Sequence, residues 1–172
     1  MGKIFFITGG ARSGKSSFAM QIAKEKSGKV AFIATCLPLD KEMDERIKLH
    51  KKKRPSAWDT FEAPKDLTPL LKEIGLKFNI IVIDCLTLFI SNLLSEGLSD
   101  NAIEAEISRI LKILKSSKHS SIIVSNEVGL GIVPDNKLAR RFRDLQGRVN
   151  QLVAEKSKEV FFMVSGLPWR IK

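Results

Sequence analysis

The 172 residues carry 29 Lys and Arg against 19 Asp and Glu, a net charge of +10, with 44% hydrophobic and 28% charged residues. That is an ordinary globular composition, of a size that suits one domain (residues 1–172) with a single sizeable core. No apolar run approaches the roughly 18 residues that cross a bilayer, and two cysteines, Cys36 and Cys85, without a CxxC pair argue against a disulfide framework or a cysteine zinc site.

The first apolar run, Met1 to Ile7, is too short for a signal peptide and leads straight into a glycine turn, so it reads as a strand of a cytoplasmic protein. Strands are predicted at Lys3–Thr8, Lys29–Ala34, Asn79–Ile83, Ser121–Ser125 and Glu159–Val164. Each is apolar almost throughout, as parallel strands covered on both faces are. Between them come helical patterns: one from near Lys15, one at Lys41–Lys53, one at Asn101–Lys115 and one from about Asn136 to Ser157. In the third, Ile103, Ile107, Ile110 and Leu114 share a face, with Ser99 or Asp100 as its cap. In the last, Leu138, Phe142, Leu145, Val149 and Leu152 recur at steps of four and three. The alternation predicts a three-layer α/β fold with a mostly parallel sheet and right-handed crossovers.

Chemistry enters at Gly9, Gly10, Ala11, Arg12, Ser13, Gly14, Lys15 and Ser16, which fit G-x-x-x-x-G-K-[ST] at every fixed position. A strand leads into this turn and a helix leads out. The glycines let backbone N–H groups point inward, and the helix N-terminus adds positive potential. The pattern predicts a P-loop that binds a nucleoside triphosphate with Mg²⁺, Lys15 reaching the terminal phosphates and the Ser16 hydroxyl holding the metal. Asp84 ends the apolar run Ile80–Ile83, where an acid binds the same metal directly or through water.

The charge has three readings: phosphate-rich ligands, nucleic acid, or a solvated lysine face. Arg140, Arg141, Arg143 and Arg148 favour nucleic acid; the absence of tyrosine and of an aromatic stacking platform opposes it. Two histidines complete the inventory. His119 sits in a polar run before a strand and reads as an exposed loop residue. His50 shares a helical face with Met43 and Ile47, reads as partly buried, and precedes Lys51, Lys52, Lys53 and Arg54. It is either an idle helix-end residue or a nucleophile towards an α-phosphate, with the cations beside it stabilising charge.

Beyond the phosphate turn, several stretches are distinctive: Ile33–Thr35, Arg46-Ile47 to His50 with Arg54-Pro55, Cys85-Leu86-Thr87 and Asn92-Leu93-Leu94. Further on come Ser125-Asn126-Glu127-Val128-Gly129-Leu130-Gly131-Ile132-Val133-Pro134, Leu138-Ala139-Arg140, Phe142-Arg143-Asp144, Gly147-Arg148-Val149-Asn150-Gln151 and Val164-Ser165-Gly166. In this order they resemble the bifunctional adenosylcobinamide kinase/adenosylcobinamide-phosphate guanylyltransferases of cobalamin synthesis, over nearly the whole chain.

The resemblance implies a P-loop NTPase (RecA-like) fold and two reactions. ATP or GTP phosphorylates the aminopropanol hydroxyl of adenosylcobinamide. GMP then passes from GTP to that phosphate through a guanylyl-histidine, which matches His50. The resemblance carries GTP contacts onto Gly9–Ser16, Thr35, Cys36, Leu37, Lys51–Arg54, Glu62 and Asp84, with Lys15 and His50 as the catalytic pair. It implies a homotrimer, with no nucleic acid and no membrane span. Two departures stand out. Leu49 occupies a position where the family often has a second histidine, and Asp84 replaces a frequent Glu. Glu127 is a candidate base for the kinase step or an acid bonding loop backbone groups. A plain kinase without nucleotidyl transfer and a nucleic-acid-binding NTPase are the rival readings.

Overall fold

A computed structural model describes residues 2–38 and 40–172; Met1, Leu39 and the side chain of Arg46 lie outside the described residues. Met1 belongs to the first apolar run and Arg46 to one of the distinctive stretches named above. Among the described residues, strands β1 (Lys3–Gly9), β2 (Val30–Ala34), β3 (Asp59–Glu62), β4 (Ile80–Asp84), β5 (Ser120–Val124), β6 (Glu159–Val164) and β7 (Leu167–Arg170) form one sheet in the order β3-β2-β4-β5-β1-β6-β7. All pairs are parallel except the β6–β7 hairpin.

The pleat decides which layer each strand residue joins. Ile4, Phe6, Ile81, Ile83 and Ile123 face helices α3 (Leu67–Ile74), α4 (Leu86–Ser95), α5 (Asp100–Ser116) and α6 (Lys137–Lys156). Phe5, Ile7, Phe32, Val82 and Ile122 face Ala19 and Ala23 of helix α1 (Lys15–Glu25) on the other side. With both faces covered, the strands read as unbroken apolar runs, which is why five of them are visible in the sequence. The two that are not, β3 and β7, lie at the sheet edges with mostly exposed side chains.

The predicted helices form with small boundary shifts. Ser99 caps α5 by accepting from Ala102 N–H, and Asn136 caps α6 by accepting from Leu138 and Ala139 N–H. Helix α2 (Lys41–Lys53) matches its predicted bounds and is capped by Asp40. Three expectations about exposure fail. Leu138 stays 61% exposed, because the buried stripe of α6 begins only at Leu145 and runs through Val149 and Val153. His119 is buried, 3% exposed, because the short turn after α5 sets its ring between Gly75 and Ser121, with Nδ1 3.1 Å from the Ser121 hydroxyl. His50 is exposed, because none of the described side chains of α2 is fully buried and the ring finds no core to enter.

Candidate active site

The carboxyl ends of β1, β4 and β2 meet where the phosphate turn, Asp84 and Thr35 lie side by side. Gly9 has φ +147° and Gly14 φ +96°; a Cβ on Gly9 would stand 2.6 Å from the Met163 carbonyl oxygen. The turn therefore requires glycine at both positions. Lys15 opens α1 and is buried, its ammonium donating to the Gly10 carbonyl and lying 3.5 Å from Ser13 Oγ. Burial lowers its pKa, opposed by the negative charge of Asp84. An ammonium so placed folds back on the turn's own oxygens and gains most from an arriving phosphate.

Asp84 is the electrostatic centre. Burial pushes its carboxyl up. The Ser16 hydroxyl, which donates to it, and the charges of His50, Arg54 and Lys15 pull the other way. One carboxylate thus feels two groups from the phosphate turn and two from the C-terminal end of α2. Ser16 and Asp84 are hard oxygen donors in contact, the chemistry a divalent cation of the Mg²⁺ type prefers.

The last turn of α2 carries His50, Lys51, Lys52 and Lys53, cations that also suit the negative end of the helix dipole. Arg54 follows in extended backbone and lays its guanidinium over the Phe32 ring, 4.1 Å away. Its Nε and Nη1 are buried without hydrogen-bond partners. Burial lowers the Arg54 pKa, while Asp84 and Glu62 counter it. Lys51 pairs with Glu62 at 2.6 Å. Lys51, Arg54, Thr60 and Glu62 line an open cavity of about 420 Å³, within the range of small-ligand sites. Thr60 is the residue the sequence reading missed. It shares a face of β3 with Glu62, a period-2 signal invisible until Asp59–Glu62 is known to be a strand.

The residues after β2 divide. Cys36 and Leu37 are half-buried, and burial together with Asp84 raises the Cys36 thiol. Thr35 is fully buried. Its hydroxyl donates to the Cys85 carbonyl at 2.6 Å and accepts from Cys85 N–H at 2.9 Å, while its carbonyl accepts from Asn92. Its side chain fixes the exits of β2 and β4 to each other and offers no free group to a ligand. Glu127 Oε1 accepts from Gly129 N–H at 2.7 Å, which is the loop-bonding role weighed for it above.

The arginines that pointed to nucleic acid are occupied within the fold. Arg141 and Arg148 both bond Asp100, Arg148 also bonds Glu104, Arg140 donates to the Pro134 and Asp135 carbonyls, and Arg143 pairs with Asp144.

Residues 5–171 match the family model described as cobinamide kinase / cobinamide phosphate guanyltransferase. The chain belongs to this family. The bifunctional adenosylcobalamin biosynthesis protein CobU of Escherichia coli is 38% identical over 98% of this chain and 99% of its own length. The bifunctional protein CobP of Pseudomonas aeruginosa is 40% identical over 96% of this chain and 95% of its own. A KaiC-like protein from Pyrococcus horikoshii superposes with a TM-score of 0.55 at 13% identity, over 93% of this chain and 70% of that one. The last likeness concerns the fold alone, and the cobinamide kinase family member has the expected RecA- and KaiC-like P-loop architecture.

Proposed function

We propose that residues 1–172 work as one unit that performs both reactions of the family, phosphorylation of adenosylcobinamide and guanylyl transfer to the product, the second through His50. The observation that carries this reading is the convergence on Asp84. Lys15 and Ser16 from the phosphate turn and His50 and Arg54 from the end of α2 all act on that one carboxyl. A triphosphate cradled by the turn then lies within electrostatic reach of the imidazole, and in this reading its α-phosphorus faces that ring.

In this reading GTP places its base against Glu62 and its terminal phosphates in the turn Gly9–Ser16. The partnerless Nε and Nη1 of Arg54 turn to phosphate oxygens, joined by Lys51, Lys52 and Lys53. A lone pair of His50 attacks the α-phosphorus, the bond to the bridging oxygen breaks, and pyrophosphate leaves with its charge held by Lys15. An oxygen of adenosylcobinamide phosphate then attacks the phosphoramidate. The phosphorus–nitrogen bond breaks and protonated imidazole departs. In the kinase step, the γ-phosphoryl of ATP or GTP passes to a hydroxyl, mainly through positioning and charge neutralisation. Mg²⁺ fits Ser16 and Asp84 and supplies neutralisation of the phosphate oxygens when bound. Thr35 shapes the site through its bonds to Cys85, beside the half-buried Cys36 and Leu37. The chain acts in the cytoplasm as a homo-oligomer, a trimer by resemblance, on corrinoid substrates and not on nucleic acid. Among the described residues no helix is long and apolar enough to cross a membrane.

Incubation with GTP labelled at the α-phosphate tests the assignment. The wild type is expected to retain an acid-labile, alkali-stable label, and His50→Ala none, with triphosphate binding within about threefold of wild type because the cradle is untouched. Undiminished label in His50→Ala would remove the histidine from the reaction. Absence of label in the wild type would favour a plain kinase.

A further inference from the structure

Three distinctive stretches of the sequence, Cys85–Thr87, Ser125–Pro134 and Gly147–Gln151, take no part in the reactions as described. The fold brings them together in one buried polar cluster at the exits of β4 and β5. Asn150 Nδ2 donates to the Asn126 carbonyl at 3.1 Å, and Thr87 Oγ1 accepts from Asn126 N–H at 2.6 Å. Both main-chain groups of Asn126 are thus held by side chains. Ser125 Oγ donates its one proton to Asn150 Oδ1 at 2.8 Å, so across the 3.2 Å contact Thr87 is the donor and Ser125 the acceptor. Gln146 Nε2 closes the cluster, 2.9 Å from both Ser125 Oγ and Asn150 Oδ1.

The cluster is tied to the site at both ends. Glu127 N–H donates to the Gly9 carbonyl at 2.9 Å, so the residue after Asn126 is fastened to the first glycine of the phosphate turn. Thr87 stands two residues after Cys85, whose N–H is held by Thr35 and whose neighbour is Asp84. Strand β5 itself lies between β4, which ends in Asp84, and β1, which ends at the turn. Thr87, Ser125, Gln146 and Asn150 are all at most 8% exposed, and Gln146 Oε1 has no partner. A space of this kind filled with apolar side chains would support the fold at least as well, because buried polar groups contribute little net stability unless every one is satisfied.

We propose that this cluster positions the terminal phosphate for the kinase step, by locking Asn126 between the phosphate turn and Asp84. The inference rests on the reading above, in which the base lies by Glu62 at the β3 edge and the α-phosphorus beside His50 and Arg54. The phosphate chain then runs across β4 towards Lys15, and its γ end comes to rest over the exit of β5. Thr87, Gln146 and Asn150 are positioning residues, acting through the backbone of Asn126 and Glu127.

The test compares Thr87→Val, which keeps the shape and removes the hydroxyl, with Thr87→Ser, which keeps the hydroxyl. Two reactions are read on each: transfer from γ-labelled GTP to adenosylcobinamide, and retention of α-label on His50. For Thr87→Val the kinase kcat is expected to fall about tenfold or more, with KM for GTP within about threefold, since small misplacements near the chemistry act on kcat. The α-label should stay within about threefold of wild type, and Thr87→Ser should recover most of the kinase kcat. Should Thr87→Val be insoluble, Asn150→Ala is read in the same way. Equal loss of both reactions, a rise in KM alone, an unchanged kinase, or no recovery in Thr87→Ser would overturn the proposal. A wild type that takes no α-label while Thr87→Val still loses kinase kcat would instead overturn the His50 assignment and leave the positioning role standing.

Discussion

Helices α5 and α2 have comparable lengths, 17 and 13 residues, and both are capped by a side-chain oxygen at their first turn. Helix α5 buries Ile103, Ile107, Ile110, Leu111 and Leu114, each contributing roughly 1.5–3 kcal/mol. Among the described residues helix α2 buries none fully; the Asp44–Lys48 and Lys51–Glu62 ion pairs and the Asp40 cap help to hold it. The phosphate end of the site is built into the core, and the histidine end is attached by exposed polar contacts of low individual worth. The site is therefore stiff where the triphosphate is cradled and compliant where covalent chemistry is proposed. Under the proposed mechanism that division is useful, because a guanylylated imidazole would have to be reached by a partner other than the one that modified it.

The contrast breaks most sharply at Lys15. Lys15→Ala should lower both phosphoryl and guanylyl transfer by about a hundredfold or more, in steady-state rates and in α-label uptake, since both leave charge on the same phosphates. If only one reaction falls, the two do not share the cradle. Hydrogen exchange gives a more local reading. Amides of α2 should exchange well ahead of those of α5 and of Val149–Val153 in α6, because none of the described residues of α2 belongs to the buried core. Asp40→Ala should remove about 1 kcal/mol from α2, seen as faster exchange there and a few-fold lower rate of His50 labelling, with the melting temperature almost unchanged.

The smallest expected effect lies at the opposite end of the sheet. Burial holds the His119 pKa below its usual 6.5. The unfolded chain therefore binds the proton first, and stability is lost as pH falls through 6.5 towards the lower folded value. His119→Asn keeps an acceptor for Ser121 and should flatten that part of the melting-temperature profile while leaving both reactions intact. A profile identical to wild type would mean that the ring is not buried in solution.

Much of this was open to reading in the chain itself, for reasons that differ by element. Strands β1 and β4 announce themselves by apolar runs ending in a glycine turn and in Asp84. Strand β3 is only Asp-Thr-Phe-Glu, and its edge position asks for no apolar run. Its two site residues, Thr60 and Glu62, therefore could not be seen as neighbours. The seven-residue step from Met43 to His50 suggests a buried face, yet nothing in α2 alone says whether a core exists to receive it. The opposite error at His119 has the same root: a polar run looks exposed until the fold sets Gly75 and Ser121 around it. The polar cluster is the hardest case. Thr87, Ser125, Gln146 and Asn150 are distributed over 64 positions, and only tertiary packing makes them neighbours.

Both cysteines flank the acid at the heart of the site. The Cys85 thiol is pushed up to about 12, and Cys36 is raised as well, in each case by burial first and by Asp84 second. Both are therefore poorer nucleophiles than an ordinary exposed cysteine, and maleimides, alkylating agents and mild peroxide should modify them slowly. A single cysteine introduced on the outer face of α2 would then react ahead of both, ready to carry a fluorophore that reports where the histidine helix stands during each half of the cycle.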